Sequence, residues 1–282
     1  MSDVEDKKED EIEASRAPLL THLMELRTRL MWALLAILIA FVACFAFAKQ
    51  IYNILILPYE WAAGEGRDIR LIYTAPQEFF ITQMKLALFG ALFIAFPVIA
   101  TQIYRFVAPG LYKNERKQFI PYLIATPILF LVGAAVVFFV MMPLAMTFFL
   151  SLEQESVDGG ASIELLPKVN EYLSLVTALI LAFGLTFQLP VVLTLLARIG
   201  VVNYDMLKRG RRYAIVLAFV AAAILTPPDI ISQFALAVPT IVLFEISLLT
   251  VRWVEKRKAA AEAAAARAEA AAPAAGESGK PA

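Results

Sequence analysis

Phe119–Leu152 reads FIPYLIATPILFLVGAAVVFFVMMPLAMTFFLSL, a run without one charged side chain. Wound as a helix at ~1.5 Å per residue it exceeds a ~30 Å hydrocarbon core. It is therefore either one long tilted crossing or two short ones, and the choice fixes the topology of everything downstream. Charge decides between them. The connection ahead is basic (Arg105, Lys113, Arg116, Lys117), while the one behind carries Glu153, Glu155, Asp158 and Glu164 against Lys168 alone. Basic loops face the cytoplasm, so the run crosses once. Pro121, Pro127 and Pro143 predict a bent helix whose end projects past the headgroups.

The rest of the chain supports a polytopic all-α membrane protein. Of its 282 residues 60% are hydrophobic and 18% charged, with a mean hydropathy of +0.71, far from a soluble domain. Formal net charge is zero, but the charges are segregated along the chain. A first span is expected over Leu30–Ala48, then a structured loop over Lys49–Glu78 containing Pro58, Gly64, Gly66 and Pro76. A second span covers Phe79–Tyr104, with Lys85 near its start, and a fourth covers Tyr172–Ala197, ending on Arg198. Lys208, Arg209, Arg211 and Arg212 mark a second cytoplasmic loop.

Tyr213–Val251 is apolar again except at Thr226-Pro227-Pro228-Asp229. Basic clusters flank both ends, so this stretch crosses twice. Six transmembrane helices follow, with both termini cytoplasmic, the fifth and sixth helices short, and structured extracytoplasmic loops. Tyr213–Leu225 reaches only about 20 Å as a helix. Two readings stand: the bilayer thins or a partner shields the helix, or the helix starts earlier, inside the basic cluster, with its arginines snorkelling.

Residues 1–18 are expected to be a disordered acidic cytoplasmic tail, 19–254 the membrane domain, and 255–282 a low-complexity Ala-rich cytoplasmic tail, helical in part. No secretory leader is expected, because the first thirteen residues are mostly acidic. Cys44 is the single cysteine, so no intramolecular disulfide can form. No internal repeat is evident, which argues against an inverted-repeat transporter.

Enzyme signatures are scarce. His22 is the single histidine, read as a helix-surface residue, and GxSxG, HExxH, GxGxxG and Walker A patterns are absent. The chain is read as no enzyme, with no cofactor and no metal. Polar residues inside spans are better clues, because lipid makes them costly. Gln188 falls mid-span, Gln233 begins the last span, and Glu245 lies within about two turns of its cytoplasmic end. For the two glutamines, interhelical glue stands beside a functional role. Glu245 can pair with a base at its own helix end. Asp229 after Pro-Pro suits the N-cap of the last helix.

Ahead of the first span, THLMELRTRL (Thr21–Leu30) carries a greasy stripe of Leu23, Leu26 and Leu30, with Leu19 before it. Glu25 lies off that stripe. It is either an i,i+4 partner of Arg29 or an acid waiting for a cationic ligand. Glu115, after the helix-breaking Phe106–Gly110, is a solvated loop charge or a second such acid.

Together LLTHLMELRTRL, the Pro58 loop, YTAPQEFF, FPVIATQIYRFVAPGLYKNER, FGLTFQLP and LTPPDIISQ give a chain that resembles the TatC family over about Leu19–Val254. TatC is the receptor core of the twin-arginine translocase, which moves folded proteins across the cytoplasmic (inner) membrane on the proton-motive force. The resemblance implies a binding surface for twin-arginine signal peptides at Glu25 and Glu115, shaped by Leu23, Arg105, Phe106 and Pro109. A carboxylate can grip the guanidinium fork bidentately, whereas a lysine is a point charge. It also implies docking of TatA- and TatB-type single-span partners at Ala223, Ile224, Leu225, Thr226 and Pro228, with Gln188 and Gln233 as an intramembrane polar site. Pro58, Pro76, Phe79, Pro97 and Asp229 become structural or functional loop positions. Membrane lipids and further copies of the chain are expected partners, and nucleic acid is not. Many relatives carry glutamate where this chain has Gln188, so a role needing ionisation there is in doubt.

Two other classes compete. A secondary small-solute transporter would want charged or unwound sites at the midplane, where the sequence offers Gln188 alone. An intramembrane hydrolase would need a nucleophile–base pair or two membrane aspartates.

Overall fold

The computed structural model describes residues 2–64, 67, 69–107, 120–154, 162–226 and 230–271, with backbone alone for 2–22 and several later positions. It divides into two units, residues 1–185 and 186–282, each taken by itself.

In the first unit α1 (Ser2–Ala46) is followed after Phe47 by α2 (Ala48–Ala63), then α3 (Pro76–Val107), α4 (Ile120–Val136), α5 (Met142–Leu150) and α6 (Val169–Thr186). Helix α1 begins at Ser2, so residues 2–18 are helix where the sequence suggested an unfolded tail. Its half-buried positions are Glu25, Arg29, Ala33, Ala36, Ile37, Ala40 and Phe41, leading to the buried Cys44. Leu23, Leu26 and Leu30 point outward instead. This reverses the amphipathy of a soluble helix, since lipid rather than a core receives the greasy stripe. Small residues line the inner stripe, and α3 answers with Ala87, Gly90, Ala91 and Ala95. A Cβ added to Gly90 would sit 2.9 Å from Cys44 Sγ and 3.1 Å from Ile51 Cδ1.

Helix α2 corrects the expected loop over Lys49–Glu78. Ala48, Leu55, Ile56 and Tyr59 form one buried face, and Pro58 lies inside the helix on that same face. The Tyr172 hydroxyl of α6 donates to the Leu55 carbonyl at 2.8 Å, one residue from the carbonyl that Pro58 cannot serve. Gly64, at φ +83, ends the helix in the left-handed region open to glycine. Pro76, Phe79 and Pro97 are likewise helical rather than loop: Pro76 opens α3, where a missing N–H costs nothing, and Pro97 lies within it.

The links at this end of the unit are tied together, as the expectation of structured loops required. Ile72 bridges to Lys168 in parallel and Gln154 to Ile163 antiparallel. Arg67 forms an ion pair with Glu153, whose other oxygen accepts from Leu165 N at 2.9 Å. Glu78 reaches back to Thr74 N at 2.9 Å and caps the start of α3.

Helices α4 and α5 form the single apolar stretch Pro121–Ser151 of 31 residues, as expected for one crossing. Between them Val137–Met141 is a π-helical turn just ahead of Pro143. Pro143 has no N–H for the carbonyl four residues back, and the wider turn accommodates that gap. Phe130 of α4 stacks on Phe96 with centroids 3.9 Å apart and leans on Phe93 at 5.3 Å. A Cβ on Gly184 of α6 would lie 2.5 Å from the Phe130 ring.

In the second unit are α7 (Leu189–Arg198), α8 (Tyr204–Leu225) and α9 (Ile230–Ala271). The expected span Tyr172–Ala197 is broken at Phe187-Gln188, because Pro190 cannot donate to the carbonyl of Thr186. Helix α8 starts at Tyr204, ahead of the basic cluster, which favours the longer helix over an isolated Tyr213–Leu225. The last helix is not short, as had been expected: α9 has 42 residues and its apolar window Gln233–Ala260 has 28. Its extension to Ala271 makes the start of the Ala-rich tail helical, in keeping with alanine's propensity.

Five described helical stretches are long and apolar enough to cross a membrane, making this a multi-pass membrane protein. The expected fifth crossing, Tyr213–Leu225 in the C-terminal half of α8, is not among them, because bases fill the first half of that helix.

Two outcomes follow from these contacts. Gly184→Ala should lower the thermal stability of the detergent-solubilised protein by about 1–3 kcal/mol, since Phe130 is already clamped. Pairing it with Phe130→Leu should recover part of that loss. The hydrogen bond from Arg67, helped by Leu165 N, holds the Glu153 carboxyl below its usual pKa. Its stabilisation is complete above the unfolded value of ~4.3 and is lost as pH falls through the depressed folded value. Melting temperature should therefore drop on acidification in that range, and Glu153→Gln should flatten the drop.

Candidate functional site

The Cys44–Gly90 contact sets the register of an antiparallel pair. Arg29 and Arg105 both lie fifteen residues from it, so they stand at the same level, about 22 Å away along the helices. Glu25 is one turn further out, past the described end of α3. At this end of the first unit Arg29 donates through Nη2 to Glu25 Oε1 at 3.2 Å, with both side chains 29% exposed. The carboxylate's second oxygen takes no donor among the described residues. Among the described residues, the buried Arg29 Nε has no hydrogen-bond partner, and nor has Gln102 Oε1 on α3.

The i,i+4 reading of Glu25 is thus realised, and it leaves half of the carboxylate open. Arg105 is exposed and Phe106 half-buried at the last turn of α3. Leu23, 58% exposed, faces away from the Glu25 stripe. Pro109 and Glu115 lie outside the described residues. Beside Glu25, Arg27, Thr28, Met31, Trp32 and Leu35 form an exposed strip on the outer face of α1, basic at one end and otherwise mostly apolar.

The second unit carries the other cluster. Helices α8 and α9 run antiparallel: Tyr204 N donates to Glu255 Oε1 at 2.8 Å at one end, and Phe219 meets Phe234 edge-on at 5.2 Å near the other. Gln233 Nε2 donates to the Phe219 carbonyl at 3.4 Å, and Thr226 Oγ1 turns back to Ala222 O at 2.9 Å. Ala223, Ile224 and Leu225 are exposed at the end of α8, Ile224 most of all at 78%. Pro228 and Asp229 lie outside the described residues.

Gln188 is buried and caps α7 through its carbonyl, which accepts from Val192 N at 2.9 Å. Thr194 meets Thr250 at 2.9 Å, and α7 and α9 point the same way, each opposed to α8. Gln188 is then level with Phe244–Glu245, some eleven residues or ~16 Å along α9 from Gln233. The two glutamines therefore do not share one level. Glu245 pairs with Arg211 of α8 at 2.6 Å, rather than with a base at its own helix end. Sequence patterning missed this pair, because partners 34 residues apart on different helices leave no local signal.

Removing one partner strands the other charge near lipid. Arg211→Gln should cost more melting temperature than the Arg211→Gln/Glu245→Gln double variant. The double-mutant cycle should give a coupling of about 1 kcal/mol, both groups being partly exposed.

A family model described as Sec-independent protein translocase protein (TatC) matches residues 21–239. The chain is 46% identical to the Sec-independent protein translocase protein TatC of Magnetococcus marinus, over 88% of this chain and 89% of that one. It is 38% identical to that of Escherichia coli K12, over 84% and 88%. Among solved structures it is similar to a crystal structure of the twin arginine translocase receptor TatC, with a TM-score of 0.72 and 36% identity. That match covers 83% of this chain and 99% of the other.

Proposed function

The chain belongs to the TatC family of Sec-independent protein translocase proteins, and from that premise we propose that it is the signal-receptor core of a twin-arginine translocase in the cytoplasmic membrane. The family is a translocase component, not a catalytic one. In this reading the outer half of α8 supplies a sixth crossing, the basic connections lie in the cytoplasm, and both termini lie there with them.

The signal's two arginines bind at the cytoplasmic end of α1 and α3. Glu25 holds one and Glu115 the other, while Leu23, Arg105, Phe106 and Pro109 shape the surface around them. The observation that carries this is the half-open Glu25 carboxylate: Oε1 is engaged by Arg29 and Oε2 faces no donor among the described residues. An incoming guanidinium can take Oε2 while Arg29 fixes the rotamer, a preorganised acceptor for a charge-assisted bond. Arg29 also supplies the discrimination. A like charge close by penalises any ligand that cannot repay it with directed hydrogen bonds, and a lysine ammonium repays less than a guanidinium fork.

TatA- and TatB-type partners dock on the second unit. The exposed Ala223–Leu225 end of α8 offers an apolar face, Thr226 and Pro228 belong to the same docking segment, and Gln233 and the buried Gln188 are its polar positions. Export of folded cargo is driven by the proton-motive force.

Binding of a fluorescent twin-arginine signal peptide to the solubilised protein tests the site. Glu25→Gln should weaken binding by about tenfold to a hundredfold, the loss of one charge-assisted pair, with the melting curve little changed. Replacing both signal arginines by lysine should cost at least as much. Equal affinity for the arginine and lysine peptides would sink the proposal.

A further inference from the structure

Glu25 leaves one carboxylate oxygen open and gives the other to Arg29, whose Nη2 donates to Oε1 at 3.2 Å. A guanidinium gripped as a fork takes both oxygens, so Arg29 must yield Oε1 before that grip closes. A lysine ammonium needs no such exchange, because one oxygen serves a point charge. Displacement of Arg29 is therefore a step that an arginine ligand forces and a lysine ligand does not. Its cost depends on where Arg29 goes, since a half-buried cation is costly without an acceptor.

The acceptor is on α3. Gln102 lies seven residues beyond Ala95 and eleven beyond Ala91, on the stripe that answers the small residues of α1. Its Oε1 is buried without a donor among the described residues, and Arg29 Nε is buried without an acceptor among them. The Cys44–Gly90 contact fixes their heights. Gln102 is twelve residues from Gly90 and so level with Trp32, three residues or ~4.5 Å inward from Arg29. Glu25 is four residues or ~6 Å outward. Arg29 thus stands between a carboxylate toward the helix end and an amide oxygen toward the membrane interior, and in the free chain it serves the carboxylate alone.

We propose that Gln102 is a positioning residue for arginine selectivity: when a signal arginine closes on both oxygens of Glu25, the Arg29 guanidinium moves to Gln102 Oε1. The inference rests on the receptor reading above and adds to it the destination of the displaced cation. The ligand first takes Oε2. Repulsion between the two guanidinium groups then drives Arg29 inward, where pairing a buried donor with a buried acceptor offsets the bond lost to Glu25. A lysine stops at the first stage, with Arg29 still beside it.

The test is NMR of the solubilised full chain labelled with 15N at arginine Nε, Arg29 being assigned through Arg29→Lys. Saturation with a twin-arginine signal peptide should shift the Arg29 Nε–H resonance, and saturation with its twin-lysine counterpart should not. No shift with the arginine peptide, or an equal shift with both, overturns the proposal on the unaltered chain alone. Peptide affinities supply the second readout. Gln102→Leu should weaken the arginine peptide by about tenfold and leave the lysine peptide unchanged. Gln102→Glu, which keeps an acceptor, should retain the preference for arginine. In an Arg29→Gln background Gln102→Leu should have no further effect. Equal losses for both peptides, or none for either, overturn the role of Gln102 while Glu25→Gln still weakens binding. If Glu25→Gln binds as the unaltered chain does, the receptor site itself falls and this inference with it.

Discussion

Close approach between backbones is what the first unit depends on. Lipid tails are as apolar as leucine, so no hydrophobic gain is left to drive one spanning helix onto another. Cohesion falls to van der Waals contact and a few shielded hydrogen bonds, and both need helices near enough to touch. Gly90 under Cys44 and Gly184 under Phe130 supply that nearness. The first contact sets the α1–α3 register, and the register brings Arg29 level with Arg105 at the end where Glu25 lies. The acid's position is thus a consequence of a glycine about 28 Å away.

Polar contacts take over where the apolar stretches end. Tyr172 to the Leu55 carbonyl ties α6 to α2, the Tyr104 hydroxyl meets Thr126 at 2.8 Å between α3 and α4, and Arg211 meets Glu245 between α8 and α9. Arg67 and Glu153 close the loops that the helices leave open. Each pair is inexpensive near water and would be costly to break at depth, which is why the ionic ones lie toward the ends of the helices.

How far the sequence could be read follows from the same physics. Long uncharged runs and the alternation of basic and acidic connections located the spans, and Pro121–Ser151 proved to be one helical stretch. Helix α2 escaped because Pro58 and two glycines resemble loop punctuation, whereas its proline sits on a buried face beside a carbonyl served by Tyr172. The break at Gln188 escaped because hydropathy does not register the missing donor of Pro190. The last helix was expected to be short because Tyr213–Val251 had to hold two crossings, whereas the helix runs on past Val251 through the basic segment and the helix-favouring alanines. At the candidate site, Glu25 and its Arg29 partner were legible from spacing. The stripe they share with Ala33, Ala40 and Cys44 was not, because a leucine stripe looks inward until lipid is recognised as the solvent. Glu115 and Pro109, Pro228 and Asp229 lie outside the described residues.

The wide turn at Val137–Met141 acts as a phase shifter. Buried positions in this crossing step through Thr126, Phe130, Ala134 and Val137, then jump five residues to Met142 before resuming at Ala145 and Met146. Without that extra residue the inward side after the turn would fall on Met141, Leu144 and Phe148, and Met142 and Met146 would swing away from α2. Trp61 of α2 stacks on Phe139 at 5.8 Å and meets Phe138 edge-on at 5.5 Å, gripping the turn from the side. One inserted residue thus lets a single rod present two differently aimed surfaces, one to α3 and α6 in its lower half and one to α2 in its upper half.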